Sequence, residues 1–421
     1  MGEVKNKTVL IGMTGRLDST IAAYLLKKQG YNCIGIHIVF FDEAINENAK
    51  SYFYENDYFY GECYKKNLDN IKSVCESLEI PFYAINACSE YKARVLDYVV
   101  ERRLQGRTFS PCIFCNEVKI DVLISKMEKL KADYVATGHY ARIQEDRKHS
   151  DFNLMAANDI KFDQSYFLST LSQKHLKNLL LPLSEIKKEE VQTIAKKLGI
   201  NFGTEREIKS QMCFMRSKGL IKYVEDNSPK EMRKPGTFIK FREDSTVGDH
   251  EGIHHFYLGQ DRLSNMGPIQ IDPNYKVIQI DRATGQVYIS MDYKISYTHL
   301  YLTNCHTISF LDKSAPIKIF AQLKMDAPRI PCILQFKNNN TAIIKFNSEL
   351  SDELILGRYI PLFTKKDAGG KVLGGGFLDR FGDLSTADPY RLYMPDLSDD
   401  ELALDENQDL MNNYEIPDLK F

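Results

Sequence analysis

Residues 7–40 read KTVLIGMTGRLDSTIAAYLLKKQGYNCIGIHIVF, and this stretch decides the fold class. Lys7–Met13 is a short β-branched apolar run, TGRLDST follows, Ile21–Gln29 carries a helical pattern closed by Gly30, and Tyr31–Phe40 reads as a second buried strand. The alternation continues with a helix over Asn67–Leu78, a strand over Pro81–Ala87 and a helix over Glu90–Leu104. Glu117–Lys131 reads as a further helix, Asp133–Ala141 as a strand, and Lys187–Gly199 as the last clear helix. Helices between apolar strands imply a parallel sheet with helices on both faces. Glu43–Gly61, rich in Asn and Tyr, reads as a long surface loop. From Thr237 onward short strands such as Lys276–Ile280, Ile317–Leu323 and Thr341–Phe346 stand between Gly, Pro and Asn turns. The expected division is an α/β domain over residues 1–209, a small linking domain over 210–296, a β-barrel over 297–380 and an acidic extension over 381–421.

At 421 residues, 43% hydrophobic and 27% charged, the chain has the composition of an ordinary globular protein of two or three domains. Its longest charge-free apolar stretch, Tyr31–Phe41, is too short to cross a bilayer, and its start lacks a secretory pattern. Nine cysteines spread along a long chain do not read as a disulfide framework. The expectation is a cytoplasmic enzyme without membrane contact. Net charge is −2, but residues 381–421 hold eleven acids against Arg391 and Lys420. That leaves a mildly basic body, which suits a polyanion without proving one.

Two sites carry candidate chemistry. In the first, a strand runs into Gly12-Met13-Thr14-Gly15-Arg16-Leu17-Asp18-Ser19 and then a helix. Free backbone N–H groups and the positive helix end make such a turn an anion pocket. It is neither a Walker loop nor GxGxxG, and the plain alternative is a turn capped by Ser19 or Asp18. The second is Cys112-Ile-Phe-Cys115, read as a loop just before a helix, with Cys213 as a third candidate in SQMCF. Thiols at a helix N-terminus beside Arg107 are expected to be nucleophilic. Two chemistries fit: a redox pair that carries and releases sulfur, or an iron–sulfur cluster on three cysteines with one open iron. A zinc site completed by His139 is a weaker reading, since no second CxxC exists. Cys33, Cys75, Cys88, Cys305, Cys332 and Cys63 are expected to be small buried hydrophobes.

Taken together these segments resemble the tRNA-specific 2-thiouridylase family, of the PP-loop ATP pyrophosphatase class. The resemblance runs from about Thr8 to Gly376 through GMTGRLDST, LEIPFYAINACSEY, GRTFSPCIFCNEVKI, DYVATGHYARI, DQSYFLSTL, KSQMCF, GDHEGIHHFYLGQ and VLGGGF, in the family's order. It implies an ATP-dependent thiolation of the wobble uridine of tRNA. ATP adenylates the 2-carbonyl oxygen, and sulfur then displaces AMP from carbon 2. It implies ATP and Mg2+ on residues 12–19, with Ile38 and Gly138 also at the nucleotide. Asp18 belongs to the catalytic set, Cys115 is the nucleophile and Cys213 bears the persulfide. Cys at position 112, where many members have Asp, is similar to cluster-dependent thiolation enzymes. There Cys112, Cys115 and Cys213 are ligands of a [4Fe-4S] cluster. RNA contacts are implied for Ser110, Pro111, Cys112, His139, Phe162, Asp163, Gln164, Lys324 and Arg358. The sulfur source implied is a relay protein or inorganic sulfide.

The sequence also departs from the family. Arg16 stands where the family has Gly, a change expected to strain the loop, with the guanidinium either filling the anion pocket itself or pairing with the triphosphate. Phe162 replaces a Lys, Ile38-Val39-Phe40-Phe41 replaces MKNW, Lys324-Met325-Asp326 replaces Arg-Tyr-Arg, and Gly357-Arg358 replaces Gly-Gln. These changes fall on the nucleotide and RNA contacts, whereas all three cysteines are present. Three readings follow: a working 2-thiouridylase, a paralogue thiolating another RNA position or substrate, or a silent RNA-binding protein with a decayed loop.

Overall fold

The computed structural model describes residues 6–40, 68–108, 110–199, 219–241, 243–260, 263, 271–272, 274–291, 297–325, 327–351 and 356–382. Cys63, Cys213, the expected loop over 43–61 and residues 383–421 lie outside the described residues.

Strands β1 (Thr8–Gly12), β2 (Asn32–Val39), β3 (Phe82–Asn86) and β4 (Tyr134–Ala136) precede a hairpin, β5 (Arg142–Asp146) and β6 (Asp151–Met155), and then β7 (Leu179–Leu180). All but the hairpin form one parallel sheet in the order β3-β2-β1-β4-β7. The helices are α1 (Leu17–Lys28), α2 (Leu68–Ser77), α3 (Cys88–Tyr91), a π-turn (Lys92–Leu96), α4 (Asp97–Leu104), α5 (Pro111–Leu130), α6 (Gln173–Asn178), α7 (Lys188–Lys197) and α8 (Gly219–Asp226). Side chains alternate across β1. Val9 and Ile11 meet Ala23 and Leu26 of α1 and Ile71 and Cys75 of α2, while Leu10 packs with Val99, Val118 and Leu123 of α4 and α5. Each buried Val, Leu or Ile among these contributes about 1.5–3 kcal/mol, and helices cover both faces as the sequence pattern requires.

Three boundaries differ from the sequence reading. Helix α1 begins at Leu17, with Arg16 as its extended N-cap at φ −99° and ψ 170°, so neither Asp18 nor Ser19 is the cap. Helix α5 begins at Pro111, which puts Cys112 in its first turn and Cys115 at the start of its second, and not in a preceding loop. Proline is favoured at the first helical position, where its missing N–H has no helical partner to lose. The strand expected over Asp133–Ala141 ends at Ala136, because the next residues turn across the loop after β1. Cys33, Cys75, Cys305 and Cys332 are buried as expected; Cys88 is only half-buried.

Strands β8 (Gly236–Lys240), β9 (Ser245–His250), β10 (Lys276–Ile280) and β11 (Val287–Ser290) form a second sheet in the order β10-β11-β8-β9. Strands β12 (Tyr297–Thr307), β13 (Ile317–Ala321), β14 (Ile330–Phe336), β15 (Ala342–Leu350), β16 (Tyr359–Phe363) and β17 (Val372–Gly382) close an antiparallel barrel. Ile308, Phe363 and Val372 join the core on the α5 side of the parallel sheet, so the barrel shares its packing. Among the described residues no helix is long and apolar enough to cross a membrane.

Candidate functional site

The carboxyl end of β1 delivers the loop. Met13 is anchored by its N–H to the Ile36 carbonyl at 2.7 Å, and its own carbonyl lies 3.0 Å from His37 Nδ1. Gly15 takes the positive φ (+72°) that the turn needs, so Arg16 keeps an ordinary backbone and the expected strain at this position is absent. Thr14 donates its N–H to Ser19 Oγ at 3.2 Å, the two hydroxyls stand 3.0 Å apart, and the Arg16 N–H reaches Thr14 Oγ1 at 3.4 Å. Gly12 ends the strand, and Leu17 is buried under the loop with Ile21 and Tyr140.

Asp18 lies in the first turn of α1, where the helix dipole favours a carboxylate. Lys188 Nζ donates to both its oxygens, at 2.7 and 2.9 Å, and the Tyr140 hydroxyl donates to Oδ1 at 2.8 Å. Lys188 and Tyr140 are functional candidates that the sequence reading missed. A trace was there: Lys188 opens α7, an end where the dipole disfavours a cation. Gly138 follows β4 and presses on the loop, since a Cβ there would stand 2.8 Å from Asp18 C and Ser19 N. Beside it, Thr137 Oγ1 and His139 Nδ1 are 2.9 Å apart. Burial first and Lys119 second push the His139 pKa down to about 3, so its imidazole is neutral at pH 7. Tyr140 continues outward: its backbone exchanges hydrogen bonds with Gln164, and Phe162 lies 6.3 Å from its ring, centroid to centroid. Ile38 sits on the other side, buried in the core beneath β2.

Helix α5 runs antiparallel to the strands, so its N-terminus stands at the same carboxyl edge as the loop, the usual place for ligands in open α/β sheets. Leu123 abuts Gly12; Cys115, eight residues earlier on the helix, therefore projects about 12 Å further along the axis. Cys112 and Cys115 are one turn apart and share a face. Asn116 is buried between turns and donates to the Cys112 carbonyl at 2.9 Å. Arg94, on the π-turn, pairs with Glu117 at 2.8 Å and Asp121 at 2.6 Å and so fixes this end of α5. Burial raises the Glu117 pKa; for Asp121 burial acts the same way, but His175 and Arg94 outweigh it and the net shift is downward.

The barrel closes over Cys112, while Cys115 packs against the core on the α5 side of the sheet. Cys112 packs in a cluster of Ile113, Tyr166, Phe167 and Tyr359, and Phe114 stacks on Phe377. Ser110 Oγ accepts the Tyr359 N–H at 3.2 Å, and the Tyr166 hydroxyl donates to the Tyr359 carbonyl at 2.8 Å. Burial pushes the Tyr166 phenol up to about 12; Arg358, Cys112 and Ser110 all act on it, so these three expected site residues stand around one ring. Arg358 reaches the Leu323 carbonyl at 3.4 Å, next to half-buried Lys324. Asp163 is placed differently from its neighbours: it is buried in an ion pair with Arg329 of the barrel at 2.6 Å. Cys213, expected with Cys112 and Cys115, lies outside the described residues. The arrangement offers an anion-receptive loop with a cation held at its carboxylate, and two thiols at the same edge, one of them under a barrel wall.

A family model described as "tRNA methyl transferase HUP domain" matches residues 7–217. The chain is similar to the tRNA-specific 2-thiouridylase MnmA of Clostridium perfringens, 32% identical over 375 residues that cover 89% of this chain and 98% of the relative. The enzyme of that name from Clostridium acetobutylicum is 30% identical, covering 89% of this chain and 99% of its own. That from Clostridioides difficile is 29% identical, with the same two coverages.

Proposed function

Because the chain belongs to the tRNA-specific 2-thiouridylase family, we propose that it is an ATP-dependent sulfurtransferase that makes 2-thiouridine at the wobble position of tRNA. The observation that carries this reading is the shared edge: the loop of residues 12–19 and the first turn of α5 both open at the carboxyl end of the parallel sheet. Backbone N–H groups of the loop and the N-terminus of α1 receive the triphosphate. Asp18 and Ser19 serve ATP and its Mg2+, with Lys188 holding the Asp18 carboxylate in place. The uridine 2-oxygen attacks the α-phosphorus and pyrophosphate leaves. Sulfur then attacks carbon 2, and AMP leaves with the oxygen.

Cys115 is the thiolate that handles sulfur, and Cys213 bears the persulfide; resolving that persulfide releases the sulfur and joins the two cysteines as a disulfide. A second reading is favoured by the spacing of Cys112 and Cys115, one turn apart on one helix face, which suits two ligands of one cluster. With Cys213 as third ligand, these cysteines would hold a [4Fe-4S] group, which would supply sulfide-binding chemistry. In the persulfide chemistry a relay protein hands its outer persulfide sulfur to Cys213, whereas inorganic sulfide suits the cluster alone; the tRNA lies across Ser110, Pro111, His139, Phe162, Gln164, Lys324 and Arg358. Since Gly15 absorbs the positive φ and Arg16 does not, the loop keeps its form despite the Arg, which weighs against a decayed, silent protein.

The test is thiolation of transcribed tRNA by anaerobically purified protein with ATP and, in separate arms, sulfide or a persulfide-carrying relay protein, read as 2-thiouridine by nucleoside mass analysis. Wild-type protein is expected to form 2-thiouridine, and Cys115→Ser is expected to abolish it. Thiolation surviving in Cys115→Ser overturns the assigned role. Bulk tRNA from a deletion strain with unchanged 2-thiouridine, in a cell without a second family member, overturns the substrate. Iron and acid-labile sulfide in the same preparation decide between the two sulfur chemistries.

A further inference from the structure

Away from the loop and the thiols, three side chains combine the donor set and the spacing of a transition-metal centre. Glu225 stands near the end of α8, and His254 and His255 lie in the single 3-10 turn Ile253–His255 beside the second sheet. Glu225 Oε1 is 3.3 Å from His254 Nε2 and 3.5 Å from His255 Nε2, and one ligand atom of each residue lies within 4.8 Å of the other two. Four ligands around an ion at bonds of about 2.0–2.1 Å are separated by about 3.3–3.4 Å. The carboxylate-to-imidazole distances match those tetrahedral edges. As hydrogen bonds they are poor, because N–H···O contacts centre near about 2.9–3.0 Å. His255 Nε2 is buried and makes no hydrogen bond, although it faces the carboxylate.

The two imidazoles stand against one another with ring centroids 4.2 Å apart; His254 is 1% exposed and His255 is half-buried. The Arg233 carbonyl lies on the Nδ1 side of His254, as both atoms stand 2.5 Å from where a Gly252 Cβ would be. His254 Nδ1 itself is buried without a hydrogen bond among the described residues, so its ring is oriented only through the Nε2 that faces Glu225. One feature opposes a cation: buried Arg103 of α4 donates to the His255 carbonyl at 3.1 Å. Two imidazoles and a single carboxylate beside a guanidinium exclude Mg2+ and Ca2+, which need several oxygens, and select an ion of the zinc class.

We propose that Glu225, His254 and His255 bind one zinc-class divalent ion, with the fourth position open to water or an exogenous ligand. The ion then staples α8 to the turn of the second sheet. The site shares no residue with the nucleotide loop or the cysteines, so it stands whether or not the sulfurtransferase reading does.

The probe is Zn2+ alone, titrated against a chromophoric chelator into the full chain carrying Cys112→Ser, Cys115→Ser and Cys213→Ser, which removes the three thiols of the proposed sulfur site. We expect one ion per chain and a tetrahedral Co2+ spectrum without thiolate charge-transfer absorption. Glu225→Gln and His255→Asn, both partly exposed positions, should each weaken binding tenfold or more with unchanged circular dichroism. Arg103→Gln should tighten it, which a hydrogen-bonded cluster gives no reason to expect. Binding that survives in both ligand variants, or no binding in the parent, overturns the proposal. X-ray absorption of the zinc-loaded parent gives an independent readout. A shell of nitrogen and oxygen with two imidazoles supports the site, and a shell without imidazole overturns it.

Discussion

Removing the charge from Asp163 should hurt the protein more than removing its partner, Arg329. The pair joins the 3-10 segment after β6 to the barrel at 2.6 Å, with side chains 8% and 4% exposed. Asp163 has other donors: the Ala157 N–H at 2.9 Å, the Ser165 N–H at 3.2 Å and the Ser165 hydroxyl at 2.8 Å. Among the described residues Arg329 has, beyond Asp163, the Asp367 carbonyl at 3.3 Å, the more distant charge of the Asp367 carboxylate and the face of Phe363, 3.6 Å from its guanidinium carbon. Asp163→Asn therefore leaves a buried cation that cannot shed its charge and turns an amide N–H2 toward it, a loss of about 3–5 kcal/mol. Arg329→Met leaves a carboxylate that still accepts three hydrogen bonds and keeps an apolar chain on Phe363. It should cost one charged hydrogen bond, about 1.5–3 kcal/mol. The double variant, with no buried charge, should be more stable than Asp163→Asn alone. The chain has no tryptophan, so urea unfolding is followed by far-UV circular dichroism. Equal losses in the two single variants, or a double variant worse than either, would refute the reasoning. Wild-type stability in Asp163→Asn with weakened tRNA binding would instead make Asp163 an RNA contact.

Gly138→Ala should put a methyl 2.8 Å from the Asp18–Ser19 backbone, costing about 1–3 kcal/mol and weakening ATP binding; calorimetry showing unchanged affinity would contradict this packing role. Lys188→Met should lower ATP-dependent activity at least tenfold and Tyr140→Phe by less, because Lys188 holds both Asp18 oxygens and Tyr140 one; steady-state rates with the order reversed would count against it. Burial holds His139 at about 3 and lowers His306, so between pH about 6.5 and 3 the unfolded chain binds more protons. Stability is therefore expected to fall on acidification through that window, and unfolding midpoints that rise as pH drops would be the opposite sign.

The parallel sheet was legible because apolar runs and helical periods are local signals, and the loop after β1 because its glycine and hydroxyl pattern is contiguous. The start of α5 was not, since Pro111 reads as a breaker until its position is known to be the first of a helix. Lys188 lies 170 residues from Asp18, and Arg329 lies 166 from Asp163. Partners so distant in sequence leave no periodic trace, and only the closing of the fold brings them together. Arg16 taught a related lesson: the expected strain followed from composition, whereas the backbone moved the demand for positive φ to Gly15.

Tyr359 has a consequence for the order in which the protein matures on the ribosome. Its backbone N–H and carbonyl are taken by Ser110 and Tyr166, and its ring meets Phe377, which in turn stacks on Phe114 beside Cys115. The seat of the cysteine helix is thus assembled from residues about 190 to 270 positions apart in the order of synthesis. Until residues 359–377 emerge, the first turn of α5 lacks its wall, and the two thiols wait in an unfinished pocket for most of the chain's synthesis.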